Sequence, residues 1–316
     1  PLAFVLNHIK LWILDDGNGW CSVDSGIAAD STLAVWQNLL DTELAGRPVS
    51  RIIVTHLHPD HAGGAGWLAE QTGARLLMTR DEYLSARLLS ADKPPPPPAT
   101  LDFYRAAGFS DAQLTSYAER YGVYRRIVSP LPTTYQRLQG GDRLQIGEHE
   151  WQVLIGRGHS PEHACLYCAE LGLLIAGDQA LPRISPNVSI WPTEPWANPL
   201  EDWLHSCRTL PDSLPADVLV LPAHGRLYTG LAARMSELIA EHETALEAAR
   251  AACVEPRRAV DLFDALFRGA VGDGNRVMAA GEAMAHLAYL EYAGELVSET
   301  DSYGVRWFHH SPAPQD

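Results

Sequence analysis

Apolar and polar positions change period several times along the chain, and each change predicts an element. Residues 5–14, "VLNHIKLWIL", and 20–26, "WCSVDSG", carry the β-branched and aromatic content of strands, split by the turn "DDGNG" at 15–19. Residues 31–44, "STLAVWQNLLDTEL", space their apolar positions for a helix, with Ser31 as its cap. "SRIIVTH" (50–56) reads as a buried strand, "AGWLAEQTG" (65–73) as a short helix ending at Gly73, and "RLLMT" (75–79) as a further strand. This alternation implies helices packed on sheet, an α/β class.

The rhythm then breaks. Helical patches flank "KPPPPPAT" (93–100), where successive prolines cannot continue a helix and favour an extended, rigid connector. The region 81–140 is therefore expected to be a helical insertion. Strands return at 142–146, 150–156, 164–170 and 173–177, a helix is expected around 200–210, and "DVLVLPAHG" (217–225) reads as another strand. After a long helix at 234–253, residues 259–267 and 276–294 look helical, and strand-like runs flank a turn at Asp301–Gly304. Helices followed by a hairpin resemble a winged-helix module. The expected division is a catalytic domain over 1–232 and a C-terminal module over 233–316.

Composition narrows the function classes. With 46% hydrophobic and 20% charged residues, the chain has ample material for a core, and no apolar run is long enough to span a bilayer. No charged start followed by a short apolar stretch suggests a signal peptide. The five cysteines are odd in number and scattered, which is no disulfide framework and makes a reducing cytoplasm the expected compartment. Cys165 and Cys168 sit three apart in a strand-like stretch, so they point to opposite faces and read as buried small hydrophobes. A net charge of −15 repels phosphate backbones. Neither a nucleic-acid partner nor a membrane is expected; a small-molecule substrate is.

The candidate chemistry is concentrated in "THLHPDHAGG" (55–64). If the strand continues into the loop, His56, His58 and Asp60 project to one side and His61 turns elsewhere, while Pro59 ends the ladder. Gly63 and Gly64 leave room for backbone to approach closely. Four metal-ligating side chains within six positions after a buried strand point to metal, and two ligand sets in one loop suit two adjacent ions. Further candidates also follow strands: His159 in "LIGRGHSPEH", Asp178 in "LLIAGDQ" and His224 in "VLVLPAHG". His163 reads equally as an orienting residue or as an ordinary strand-start histidine.

Taken in order, HxHxDH, then GH, GD and PAHG, the chain resembles the metallo-β-lactamase fold superfamily over about residues 5–230. The resemblance implies a four-layer αβ/βα sandwich, two mixed sheets face to face with helices outside. It implies that His56, His58 and His159 hold one metal, that Asp60, His61 and His224 hold the second, and that Asp178 bridges them. The ligand chemistry fits zinc, with iron, manganese or cobalt as alternatives. Such a pair can share a bridging hydroxide, so the implied reaction is hydrolysis, with Asp60 and Asp178 as candidate catalytic residues. A bridging aspartate resembles glyoxalase II and lactonases rather than β-lactamases proper. The expected substrate is a small thioester, ester or lactone; a phosphodiesterase like ribonuclease Z, or an amide hydrolase, is the alternative.

Two departures from glyoxalase II stand out: the stretch between His61 and His159 is longer, and no basic glutathione-binding motif is found near the C-terminus. The insertion is expected to roof the pocket, with Tyr83, Phe103, Tyr104, Tyr117, Tyr121, Tyr124 and Tyr135 lining an acyl site or packing the helices. Arg183, in the segment after Asp178, is a candidate to anchor a substrate anion. The helix at 276–294 offers Arg276 but several acids and no lysine, which does not suit a groove-reading helix. The tail is therefore expected to serve packing or dimerisation, a homodimer being the assembly considered.

Overall fold

A computed structural model describes residues 8–311, so positions 5–7 of the first expected strand lie outside the described residues. In chain order the elements begin with β1 (Trp12–Asp15), β2 (Trp20–Val23), α1 (Asp30–Asp41), β3 (Val49–Ile53), α2 (Pro59–Ala62), α3 (Ala65–Thr72) and β4 (Arg75–Thr79). Then come α4 (Arg80–Ala91), α5 (Pro98–Ala106), α6 (Asp111–Arg120), α7 (Tyr124–Ile127), β5 (Gln136–Leu138), β6 (Arg143–Ile146) and β7 (His149–Gly156). The chain continues through β8 (His163–Cys168), β9 (Leu173–Gly177), α8 (Pro199–Thr209), β10 (Leu219–Pro222) and α9 (Leu231–Ala252). It finishes with α10 (Phe263–Leu266), α11 (Arg276–Tyr292), β11 (Leu296–Thr300) and β12 (Arg306–His310). No helix among the described residues is long and apolar enough to cross a membrane.

Of the described residues, 8–93, 122–186 and 210–234 form one unit, and 94–121, 187–209 and 235–311 a second. This grouping differs from a single cut near residue 232, because three segments far apart in sequence pack together in the second unit.

The first unit holds two five-stranded mixed sheets, ordered β1-β2-β3-β4-β5 and β10-β9-β8-β7-β6. Strand periodicity explains why β3 and β4 are apolar on both sides. Ile52, Leu76 and Met78 face a core shared with Trp36, Leu68, Tyr83 and Tyr124. Their neighbours Ile53 and Leu77 face a second core with Trp151, Val153, Leu166 and Ile175, which lies between the sheets. Full burial of each such side chain stabilises by about 1.5–3 kcal/mol. Cys168 faces this second core while Cys165 points the other way, toward the carbonyl of Ala176, and all five cysteines are buried thiols outside any disulfide.

Two local expectations need correction. Helix α1 starts at Asp30 with Ala29 at its N-cap, and no side chain caps it, so Ser31 is already inside the helix. Residues 136–138 are not insertion: β5 pairs in parallel with β4 and sends Leu138 into the inter-sheet core. A three-residue strand is too short to show a period. Of the two roles expected for the aromatics of the region, the ring contacts seen here are of the packing kind. Tyr83 stacks on Tyr135 at 3.8 Å in the first unit, and Tyr104 packs against Phe109 and Tyr117 in the second.

In the second unit α11 buries Ala279, Ala280, Ala283, Met284, Ala285, Leu287, Ala288 and Leu290. The small residues permit close approach: a Cβ on Gly281 would lie 2.8 Å from the carbonyl oxygen of Ile190. After α11 comes the antiparallel hairpin β11–β12.

Candidate metal centre

All seven candidate ligands follow the C-terminal ends of strands in the first unit. His56 and His58 lie after β3, Asp60 and His61 on α2, His159 after β7, Asp178 directly after β9 and His224 after β10. Beyond β3 the chain does not continue as a strand. Pro59 occupies the first position of the one-turn helix α2, so His58 and His61 stand one helical turn apart on one side. His61 therefore joins the cluster, contrary to the alternation expected for a strand, and its ring centroid lies 4.0 Å from that of His56. Gly63 is required here: a Cβ would sit 2.3 Å from the Pro59 carbonyl oxygen and 2.7 Å from that of Gly26.

Two ligand groups result. His56 Nε2, His58 Nδ1 and His159 Nε2 are separated by 2.9, 3.0 and 3.3 Å. Asp60 Oδ2 lies 3.3 Å from His224 Nε2 and 3.9 Å from His61 Nε2. Asp178 stands between the groups: its Oδ2 is 3.6 Å from His159 Nε2, and its Oδ1 is 3.5 Å from both His61 Nε2 and His224 Nε2.

The donor set fits metal ions on three observations. Two nitrogens each about 2.0–2.1 Å from one tetrahedral zinc are about 3.4 Å apart, close to the spacing of the histidine trio. His61 Nε2, His224 Nε2 and Asp178 Oδ1 are buried without a hydrogen-bond partner although they converge, an arrangement that costs stability unless something sits between them. The protonation balance points the same way. Burial, reinforced by neighbouring imidazoles, holds His56 well below its ordinary value and His58 down at about 3, so both are neutral ligands. Burial disfavours charge on His61 and His224 too, but surrounding carboxylates, Asp24, Asp178 and Asp60 at the first and Asp60 and Asp178 at the second, raise both. Asp60 and Asp178 are lowered despite burial. Without metal, protons on these two histidines take the place of cations.

Sequence reading missed the groups behind the ligands. Asp24 is buried with a left-handed backbone (φ 63°), and its carboxylate accepts from Thr55 N–H at 2.8 Å and lies 2.8 Å from His61 Nδ1, leaving Nε2 to face the cluster. The signal was an acid closing an apolar strand in "WCSVDSG". His163, left open by the sequence, accepts from the Asp178 backbone N–H at 3.1 Å and stacks on His56 at 4.7 Å. The His8 carbonyl accepts from His224 Nδ1 at 2.7 Å. Glu82 was missed as well. Arg183, by contrast, is exposed and makes no hydrogen bond or ion pair among the described residues, while buried Arg234 donates to the carbonyls of Leu181 and Ile184 beside it.

Asp24→Asn should weaken binding at the Asp60–His61–His224 group by about 10–100-fold, because the amide no longer fixes the His61 tautomer. Calorimetric titration of the chelated protein with zinc checks this; unchanged affinities would refute it.

The sequence pattern of the family described as Metallo-beta-lactamase superfamily matches residues 11–224, and that of Metallo-beta-lactamase-like, C-terminal domain matches 246–311. A beta-lactamase domain protein of Burkholderia ambifaria is 39% identical in sequence and superposes with a TM-score of 0.90, covering 98% of this chain and 90% of that one. An acyl-coenzyme A thioesterase of Gallus gallus is 24% identical over 227 residues, 70% of this chain and 74% of its own length. A hydroxyacylglutathione hydrolase of Albidiferax ferrireducens is 27% identical over 179 residues, 56% of this chain; the match spans 48% of that relative.

Proposed function

The chain belongs to the metallo-beta-lactamase superfamily of metal-dependent hydrolases, and we propose that it cleaves a small thioester, ester or lactone with two divalent cations held by His56, His58 and His159 and by Asp60, His61 and His224. The observation that carries this reading is Asp178, whose two carboxylate oxygens face the two ligand groups separately. Paired divalent cations lower the pKa of a water and polarise a carbonyl. The chain's own residues do the rest. Asp178 spaces the two groups. Asp60, whose side chain at 20% exposure is more open than that of Asp178 at 10%, stays ionised and can take up a proton at the solvent side. His163 and Asp24 hold the ligands in place.

The thioesterase and hydroxyacylglutathione hydrolase relatives favour a thioester among the three substrates. The histidine and carboxylate donors suit zinc, iron or manganese. Against a nucleic-acid substrate stand the net charge of −15 and the largely buried surface of α11, which leaves no basic face to enter a groove. The helix–hairpin order of the tail suits a winged helix used for packing or for pairing two copies.

Initial rates on acyl-thioesters, homoserine lactones, a cephalosporin and a phosphodiester, with metal content measured on the same sample, test the proposal. Dominance of one of the first two classes supports it; turnover of the phosphodiester alone overturns it. Within that panel, Arg183→Ala should raise KM about 10-fold for substrates carrying a carboxylate or phosphate, with little change for neutral ones, matching a charged hydrogen bond of about 1.5 kcal/mol. An unchanged KM removes Arg183 from the site.

A further inference from the structure

Building on the two-cation reading, we propose that Glu82 is a positioning residue that locks the loops carrying His56, His58 and His159 into one frame. It thereby sets the affinity of that ligand group and leaves the Asp60–His61–His224 group alone.

Glu82 lies in the first turn of α4 and is fully buried. One carboxylate oxygen accepts the backbone N–H of Leu57 at 2.8 Å, and Leu57 is the residue between His56 and His58. The other oxygen accepts the Ser160 hydroxyl at 2.5 Å and the Glu162 backbone N–H at 2.8 Å, and Ser160 follows His159 directly. The Leu57 peptide is fixed at its other end too, since its carbonyl accepts the Tyr124 hydroxyl at 2.6 Å. A single carboxylate thus ties together the two loops that supply all three nitrogens of the group. Sequence separation makes this tie necessary: His159 comes more than a hundred positions after His56, and precise spacing across two loops needs a common anchor.

The three donors that converge on Glu82 need an acceptor, but a neutral side chain could supply one without the cost of burying a charge. Among the described residues no Lys, Arg or His forms an ion pair with Glu82; backbone and hydroxyl dipoles alone hold it. Its oxygens belong to neither ligand group. The second group has supports that do not involve Glu82, Asp24 behind His61 and the His8 carbonyl behind His224, although Asp24 also accepts the Thr55 hydroxyl that lies 3.1 Å from His56 Nδ1.

The experiment titrates chelated full-length protein with Co²⁺, reading heat and visible absorption, for wild type, Glu82→Gln, Glu82→Met and Asp24→Asn. His159→Ala and His224→Ala serve as references for loss of the first and second group. Glu82→Gln is expected to weaken one binding event about 10–100-fold, with a remaining spectrum that matches His159→Ala. Asp24→Asn should instead approach His224→Ala. Glu82→Met fills the space but leaves the Leu57 and Glu162 N–H groups and the Ser160 hydroxyl without their acceptor. It should lower the melting temperature of the chelated protein and lose the first event, whereas Glu82→Gln, which keeps an acceptor oxygen, should melt closer to wild type while still weakening that event. The proposal is overturned if Glu82→Gln or Glu82→Met keeps both affinities within about twofold of wild type, or weakens both events equally. A wild type that binds fewer than two cobalt ions would instead sink the two-cation reading, whatever the variants do.

Discussion

Asp178→Asn is expected to cut kcat/KM on the preferred substrate by about 10³-fold or more, equivalent to roughly 4 kcal/mol of transition-state stabilisation at 1.36 kcal/mol per tenfold. The reason is positional. Asp178 alone has one oxygen toward His159 and the other toward His61 and His224, at 3.5–3.6 Å in each case. Asparagine keeps the shape, and its backbone N–H can still donate to His163, so the turn after β9 should survive. What is lost is the negative charge and one of two acceptors, leaving an amide donor aimed at one ligand group. Two cations held close together repel one another, and a neutral bridge no longer offsets that repulsion. The measured metal content should fall below two per chain while the chelated variant melts within a few degrees of chelated wild type. A variant that retains both metals and full turnover would show that Asp178 does not bridge. One that fails to fold even when chelated would assign it a structural role.

The clustering of the candidate ligands could be anticipated from sequence because each follows a strand and because four of them crowd into "HLHPDH". Local spacing carries such information. It misled at His61, where alternation was extended past Pro59 although proline at the first position starts a helical turn. Only its place at the end of an apolar strand marks Asp24, and nothing local marks Glu82. In the sequence each is an ordinary acid of a kind that usually stays in water, and only the tertiary packing that buries it reveals hydrogen bonds to residues about thirty and about eighty positions away. The same limit hid the grouping of the units. The contacts that gather 94–121 and 187–209 with the C-terminal residues depend on packing, and so does the company kept by Tyr83 and Tyr104. Edge strand β5 was hidden by brevity.

Stripping the metals is the second large perturbation, and its pH dependence follows from the two ligand groups. Chelation should abolish turnover, with activity returning on addition of a divalent cation. Reloading at a thousandfold excess over Kd should stabilise by about 4 kcal/mol per site. In the chelated protein, burial keeps His56 well below its ordinary value and His58 at about 3, so between that range and about 6.5 the unfolded chain binds more protons than the folded one. Stability must then fall as pH drops below about 6.5. His61 and His224 are held above their ordinary value by Asp24, Asp60 and Asp178, so above about 6.5 the folded chain binds more protons. That part of the stability is lost as pH rises through their folded values. The melting temperature of the chelated protein should therefore peak near pH 6.5, each titrating group contributing at most about 1.4 kcal/mol per pH unit within its window. Metal loading removes the alkaline arm, because cations displace the protons of His61 and His224 and binding tightens as those protons leave. Melting curves from pH 4 to pH 9, with and without zinc, separate the cases. A chelated protein whose stability keeps rising above pH 7 would mean that His61 and His224 carry no protons in the folded state, and that Asp60 and Asp178 are not the carboxylates that a metal pair would neutralise.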